Sequence, residues 1–429
     1  MINNSTVHNV LVIGGGGREH AIVHALSRSP QVGKLYCIPG NAGIAQIAEC
    51  HPEIKATDLD KIVAFVDAHA DIELTVVAPD DPLALGLVDR LQAKGHRAFG
   101  PNANAAVIEA SKVFSKNLMK KYGIPTAAYQ TFSSYDEARA YVETCPVPTV
   151  IKADGLALGK GVIIAETREQ AQAGLKEIML DKAFGAAGAS VVIEEFLTGF
   201  EVSVLAFTDG KTVLPMASSQ DHKRAHDGDE GLNTGGMGTF SPQDAYTPAM
   251  ADTAMQTVFL PTVRALEKEG RPFKGVLYFG LMITPAGEVK VLEYNARFGD
   301  PEAQVILPRL QNDVFDVFNA CIDGTLDRIT LSWDERAAVC VVAASGGYPE
   351  KYEKGKKITF GDIDPDVLVF HAGTALCAEC GEIVTNGGRV LGVTALGKTL
   401  SEAKKKAYDN VRKISFDGMF YRNDICKNH

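Results

Sequence analysis

Two lysines, a glycine-rich loop and several well-spaced acids follow one another along the middle of this 429-residue chain. Lys112 opens a helical stretch from Ser111 to Lys121. Lys152 lies on the apolar strand Val147 to Ala153, which leads into Asp154-Gly-Leu-Ala-Leu-Gly-Lys-Gly161. Cations beside a loop of free backbone N–H groups can neutralise a polyphosphate. The loop is not a Walker A motif, which needs four residues between its glycines and a hydroxyl after its lysine. Here three residues separate Gly155 from Gly159, and Gly161 follows Lys160. A second strand, Val162 to Ala165, follows the loop where a Walker loop would start a helix. The segment reads as a β-hairpin flap closing over phosphate, or as an ordinary tight hairpin.

Further acids extend the pattern. Glu194 and Glu195 end the apolar strand Val191 to Leu197, with Glu201 shortly beyond. Carboxylates in such a setting are costly to bury without donors, which an adenine amino group and ribose hydroxyls would supply. Glu293, Asn295 and Arg297 recur at period 2 in Val291-Leu-Glu-Tyr-Asn-Ala-Arg297, hence on one face of a strand. Oxygen donors of this kind suit magnesium, which keeps water and phosphate as its other ligands. Near the N-terminus, Val10-Leu-Val-Ile-Gly-Gly-Gly-Gly-Arg-Glu-His-Ala21 has the form of a nucleotide-binding strand, turn and helix. A dinucleotide fingerprint needs a third glycine where Glu19 stands, and an acid after the second strand, which ends Cys37-Ile-Pro-Gly40. Both are missing. The turn can still take one phosphate on its backbone N–H groups, or serve only to join strand and helix.

The elements that must position these groups are legible in outline. Apolar runs (10–13, 34–38, 74–78) alternate with helical patterns (18–28, 60–69, 83–95), which predicts parallel βαβ units. Strand pairs flank Asp209-Gly210 and Pro285 to Glu288. Between them the polar stretch from Ser219 to Gly238 reads as a long functional or disordered loop. Short strands return at 337–344, 368–373 and 388–396, before a helix near 400–413. The length implies about three domains at roughly 150 residues each. No segment approaches the ~18 apolar residues of a membrane span, and the first ten residues lack a signal-peptide pattern. The cytoplasm is the expected location. With 43 basic and 53 acidic residues, the net charge of -10 disfavours nucleic acid as a partner. Eight scattered cysteines suit reduced thiols, and only Cys377-Ala-Glu-Cys380 has a metal-like or redox-like spacing, read as a surface hairpin.

The order of lysine, lysine-bearing strand, glycine flap, Glu-Glu hinge and Glu-x-Asn strand resembles the ATP-grasp ligases. Within them the chain is similar to the phosphoribosylamine–glycine ligase family across nearly its whole length. The shared stretches include VIGGGGREHA, PGNAG (39–43), IKADGLALGKGV, VIEEFLTGFE, SQDHKR, NTGGMG, EYNARFGDPE, HAGT (371–374) and NGGRVLGVTALG. The resemblance implies an α/β and α+β multidomain chain. It would have a Rossmann-like preATP-grasp domain (1–108), an ATP-grasp core (109–330) with a mobile flap subdomain at about 124–194, and a small C-terminal mixed domain (331–429). It also implies a reaction that joins 5-phosphoribosylamine and glycine at the expense of ATP in purine biosynthesis, through glycyl phosphate, with Mg2+ or Mn2+. Transient contact with the enzyme that supplies the labile amine is a further expectation.

Residue by residue, the resemblance assigns Lys112, Lys152, Gly155, Gly159, Lys160 and Gly161 to the ATP phosphates. Glu194, Glu195, Phe196 and Leu197 would meet adenine, and Glu201 the ribose. Glu293 and Asn295 would ligate the metal. Arg297, Asp221 and the turn Asn233, Thr234, Gly235 and Gly236 would orient glycine and the transferring phosphoryl group, with Arg297, Asp221 and Lys152 as the catalytic set. Gly16, Gly17, Arg18 and Asn41 would face the ribosylamine phosphate or ribose. Three departures stand out. Asp80 replaces a usual glutamate in Ala78-Pro-Asp-Asp-Pro-Leu83, Leu232 replaces a usual proline, and Phe279 to Ile283 lacks the metal-binding acid of many ATP-grasp enzymes. The rival readings are a carboxylating ATP-grasp enzyme such as biotin carboxylase, a nicotinamide-dependent reductase, and a catalytically silent nucleotide-binding regulator.

Overall fold

The computed structural model describes residues 7–156 and 161–427. Its N-terminal part is a five-stranded parallel sheet made of β1 (His8–Gly14), β2 (Val32–Pro39), β3 (Glu49–Cys50), β4 (Ile72–Val77) and β5 (Ala98–Phe99), in the order β3-β2-β1-β4-β5. Helices α1 (Gly17–Ser27) and α2 (Leu59–Ala68) are the crossovers that parallel strands require. The pattern expected over 83–95 forms two helices, α3 (Asp80–Ala84) and α4 (Leu87–Ala93), because Gly86 takes a left-handed conformation between them (φ 84°). Helix α5 (Ala103–Ala110) leads through extended Ser111 into α6 (Lys112–Tyr122).

The next sheet is antiparallel and has its own core. β6 (Tyr129–Phe132), β7 (Thr149–Ala153), β8 (Val162–Ala165) and β9 (Val191–Glu195) run in the order β6-β9-β7-β8. Ile151, Ala153, Val191 and Ile193 pack there against Val142, Leu175 and Ile178. This cluster is separate from the others, so the glycine loop hangs from a small unit of its own. The central sheet, β11-β10-β16-β17, contains β10 (Phe200–Asp209) and β11 (Val213–Pro215).

The polar stretch 219–238 is not a long loop. It forms β12 (Gln220–Asp221), β13 (Arg224–His226) and β14 (Glu230–Asn233), and β15 (Gly238–Ser241) follows directly. β13 and β14 pair with each other, while β12 and β15 join a sheet whose other strands lie about a hundred residues or more downstream. Partners that distant leave no local apolar signature. The central sheet is completed by β16 (Lys274–Ile283) and β17 (Val289–Asn295). The last sheet, β12-β15-β18-β23-β20, takes β18 (Ala337–Ala344), β20 (Leu368–His371) and β23 (Arg389–Gly397). β19 (Thr359–Phe360) pairs with β24 (Ile414–Ser415), and β21 (Thr374–Leu376) with β22 (Ile383–Thr385). The C-terminal sheet therefore borrows its first two strands from the middle of the chain. Cys377 and Cys380 lie at the tip of the β21–β22 hairpin as free thiols. Among the described residues no helix is long and apolar enough to cross a membrane.

A histidine pair joins the first and last parts. His20 on α1 accepts a hydrogen bond at Nδ1 from the backbone N–H of His371 (2.8 Å), so that nitrogen must be unprotonated. Burial, with His371 nearby, lowers the His20 value to about 3, and burial lowers His371 to about 4. Both lie below the ordinary ~6.5 of an unfolded histidine. The unfolded chain therefore binds more protons below about pH 6.5, and this contribution to stability, intact above that value, is lost as pH falls toward the folded values. The melting temperature is expected to drop between pH 7 and 5, and to drop less in His20→Asn, whose amide oxygen can replace Nδ1 as acceptor. Equal pH slopes by scanning calorimetry would contradict the seam as the source.

Candidate active site

A cavity of about 1420 Å³ opens between the flap sheet, the central sheet and the C-terminal part. A pocket for one drug-sized ligand is about 300–1,000 Å³, so this one has room for several reactants at once. On the flap side, Lys152 on β7 donates from Nζ to the carbonyl of Leu292 (3.0 Å) and is ion-paired with Glu194. Lys116 pairs with the same carboxylate and donates to Thr126 Oγ1 (2.7 Å). Burial opposes ionisation of Glu194, yet Lys152 and Lys116 together hold its carboxyl below the usual value. Burial lowers Lys116 to about 8 against the pull of Glu194. Lys112, the first residue of α6, donates to the carbonyl of Gly155 (2.9 Å), and Asp154 accepts from Ser111 Oγ (3.0 Å) and the Val113 N–H (3.1 Å). The start of α6 is thus fastened to the glycine loop.

The facing wall is β17. Strict alternation would put Glu293 and Asn295 on the face of Val289 and Val291, which is core. A bulge at Leu292 shifts the register against β16, from Leu281↔Val291 to Gly280↔Glu293. Beyond it Tyr294 turns into the core, while Glu293 and Asn295 line the cavity. The period-2 reading picks out residues that line the cavity, but the bulge is what exposes them. Lys223 Nζ sits 3.2 Å from Glu293 Oε1 and 3.5 Å from Glu201 Oε2. Its charge holds the Glu293 carboxyl down at about 2. Burial pushes Asp221 up to about 8; Lys223 opposes this, and Glu302, Glu201 and Glu293 add to it.

The acids crowded about Lys223 oppose one another's ionisation, and a divalent cation would favour their charged forms. Among the described residues no three His, Cys, Asp or Glu side chains converge as a metal cage. Glu293 and Asn295 therefore fit a magnesium-like ion that keeps phosphate and water as its other ligands.

Most of the expected residues meet here. Gly155, Gly161, Glu194, Glu195, Phe196, Leu197, Glu201, Asp221, Asn233, Thr234, Gly235, Arg297 and Arg18 all line the cavity, as do Lys112, Lys152, Glu293 and Asn295. Gly159 and Lys160 lie outside the described residues.

Family models for phosphoribosylglycinamide synthetase match three consecutive parts of the chain: the N domain over residues 8–109, the ATP-grasp (A) domain over 110–303 and the C domain over 338–428. The chain belongs to the phosphoribosylglycinamide synthetase family. A phosphoribosylamine–glycine ligase of Halalkalibacterium halodurans is 51% identical over 418 residues, 97% of this chain and 96% of its own. Among solved structures, the phosphoribosylamine–glycine ligase of Thermotoga maritima aligns with a TM-score of 0.84 at 36% identity, covering 97% of this chain and 100% of that one. The biotin carboxylase domain of Hydrogenobacter thermophilus 2-oxoglutarate carboxylase, in complex with MgADP, ADP and bicarbonate, aligns at 0.76 with 14% identity, covering 97% and 92%. That likeness shows the ATP-grasp fold alone.

Within this synthetase-family chain, three of the four residues expected to face the ribosyl substrate do not reach the cavity. The Gly16 N–H donates to Glu19 Oε2 (2.7 Å), so the side chain of Glu19 already fills the anion position at the start of α1. Gly17 is packed so closely that an added Cβ would lie 2.5 Å from Gln304 Nε2. Asn41 uses its whole amide within the fold: Nδ2 donates to the carbonyls of Gly15 (2.9 Å) and His371 (2.8 Å), and Oδ1 accepts from Gly43 and Ile44. Only Arg18 lines the cavity, paired with Glu19 (2.6 Å) and donating to the carbonyl of Phe298 (3.2 Å). Gly236 sits behind the wall; its left-handed φ of 112° and Pro301 leave no room for a side chain.

Several residues at the site escaped the sequence reading. Lys116 follows Lys112 by one helical turn, a spacing that could have found it. Lys223 stands inside SQDHKR but carries no spacing signal. Arg389, from β23, donates to the carbonyls of Gly235 (2.7 Å) and Asp300 (2.7 Å) and so fixes the Asn233 to Gly236 turn from the C-terminal part.

Proposed function

We propose that this cleft activates glycine as glycyl phosphate and delivers it to 5-phosphoribosylamine. As a member of the phosphoribosylglycinamide synthetase family, the chain is an ATP-dependent carbon–nitrogen ligase that forms glycinamide ribonucleotide and ADP in purine biosynthesis. The proposal concerns the route and the residues. What supports it is the bond from Lys152 Nζ to the carbonyl of Leu292, which brings a phosphate-type lysine next to the carboxylate of Glu293 across one cavity.

A carboxylate is a poor electrophile. Transfer of the γ-phosphoryl group to the glycine carboxylate releases ADP and leaves an acyl phosphate. The ribosyl amine then attacks the acyl carbon, the C–O bond to phosphate breaks, and the nitrogen loses a proton. The protein's task is to position the reactants and neutralise charge. Lys112 and Lys152 face the phosphate oxygens, and Gly155 and Gly161 flank them. Glu194 to Leu197 receive adenine, with Phe196 exposed toward it, and Glu201 takes the ribose. Arg297 and Asp221 address the carboxylate and ammonium of glycine, and Arg18 addresses the ribosyl phosphate. Glu293 and Asn295 would hold Mg2+ or Mn2+, which when bound draws charge from the phosphate oxygens.

We place this reaction in the cytoplasm and include a brief contact with the enzyme that supplies the labile amine. Coupled measurement of ADP release, with each substrate omitted in turn, tests the reading. ADP formation should require both glycine and phosphoribosylamine. Release sustained by bicarbonate in their absence would replace it with a carboxylating one.

A further inference from the structure

We propose that Glu109 is a positioning residue for phosphoryl transfer, fixing the Arg297 guanidinium through a buried bridge at the junction of α5 and α6. The inference rests on the reading that Arg297 addresses glycine and the transferring group. Glu109 stands on the last turn of α5 and is 8% exposed. Its Oε2 accepts from the backbone N–H of Ala296 (2.7 Å), and its Oε1 from Arg297 Nη2 (2.7 Å). Arg297 Nη1 donates to the carbonyl of Phe298 (3.3 Å). Two of the three guanidinium nitrogens are thereby committed to the protein, and the plane of the group is set. The third, Nε, is buried and has no hydrogen-bond partner among the described residues. Each Nη carries a second N–H, and these are the donors left for an anion in the cavity that Arg297 lines.

Stability alone does not account for this arrangement, since a buried ion pair adds little over apolar side chains of similar volume. Its location does. Glu109 and Lys112 flank the same short joint, one tied to the residues just after β17 and the other to the glycine loop through the Gly155 carbonyl. The joint thus holds the two walls of the cavity in fixed relation, and the charge on Glu109 specifies where Arg297 points.

Glu109→Gln tests this, because its amide oxygen can still accept from Ala296 while the charge facing Arg297 is gone. Turnover (kcat) is expected to fall on the order of 10- to 100-fold, as when the supporting partner of a site residue is removed. The KM for ATP should hold, since the catalytic loss is confined to the transition state, while the melting temperature should fall, because the half-buried guanidinium loses its counter-charge. Glu109→Asp keeps the charge and should recover part of kcat. Arg297→Lys and the double variant Glu109→Gln/Arg297→Lys should be equally slow, because the two residues act as one unit. Unchanged kcat in Glu109→Gln, equal kcat in the Gln and Asp variants, or independent multiplicative losses would overturn the proposal. Failure of the unmodified protein to release ADP with glycine and phosphoribosylamine would instead remove the reading beneath it.

Discussion

Replacing Glu293 with alanine is expected to abolish turnover while leaving the fold intact. Glu293 lies past the bulge on β17, with its side chain turned from the core and facing Lys223 at 3.2 Å. Its removal does not strand that lysine, because Glu201 lies 3.5 Å from the same Nζ. No buried charge is orphaned, so circular dichroism and melting temperature should stay close to those of the unmodified protein. Activity should not survive. Loss of one preorganised group that stabilises transition-state charge costs about 10²–10³ in kcat, and loss of a metal ligand in the proposed set falls at or beyond that range. Full activity in a folded Glu293→Ala protein would mean that the cation site lies elsewhere.

The second large effect is expected from Lys152→Met, which keeps the aliphatic stem and deletes the charge. Glu194 would retain Lys116 as a partner, so the buried carboxylate stays compensated and the protein folds. The variant loses the donor to the Leu292 carbonyl and the cation proposed for the phosphates. Turnover with ATP (kcat/KM) should fall by about 10²–10³ on the same electrostatic grounds. Lys116→Met should separate stability from catalysis in the opposite sense. Among the described residues Lys116 bonds to Glu194 and to Thr126, whose hydroxyl in turn bonds to the Val291 carbonyl, so its loss should lower the melting temperature more than kcat. Equal catalytic losses in the two lysine variants would contradict the division of roles.

What the sequence disclosed and what it hid follow from the range of the interactions. The parallel strands β1, β2 and β4, the hairpins about Asp209-Gly210 and residues 285–288, and the strands on both sides of the glycine loop are specified by local apolar period and turn residues, so they were legible. The strands within 219–241 were not, because β15 owes its place to pairing with β18, from Gly238↔Val341 to Ser241↔Ala338. The flip at Leu292 was hidden for a similar reason, since a bulge depends on the partner strand.

The site divides in the same way. Lysines and carboxylates in order along the chain announced the phosphate chemistry. The bridge from Glu109 to Arg297 spans 188 residues, and the grip of Arg389 on Gly235 spans 154. No spacing rule reaches that far. Nearer in sequence, an acid three residues after the N-cap is a capping signal, and Glu19 behaves as one, taking the Gly16 N–H.

The most direct test of the central claim is a crystal structure of the protein with magnesium and a non-hydrolysable ATP analogue. The triphosphate should lie between Lys112 and Lys152 on one side and Glu293 and Asn295 on the other, with adenine against Glu194 to Leu197. A nucleotide bound at the glycine turn of α1, or anywhere outside this cleft, would contradict the account.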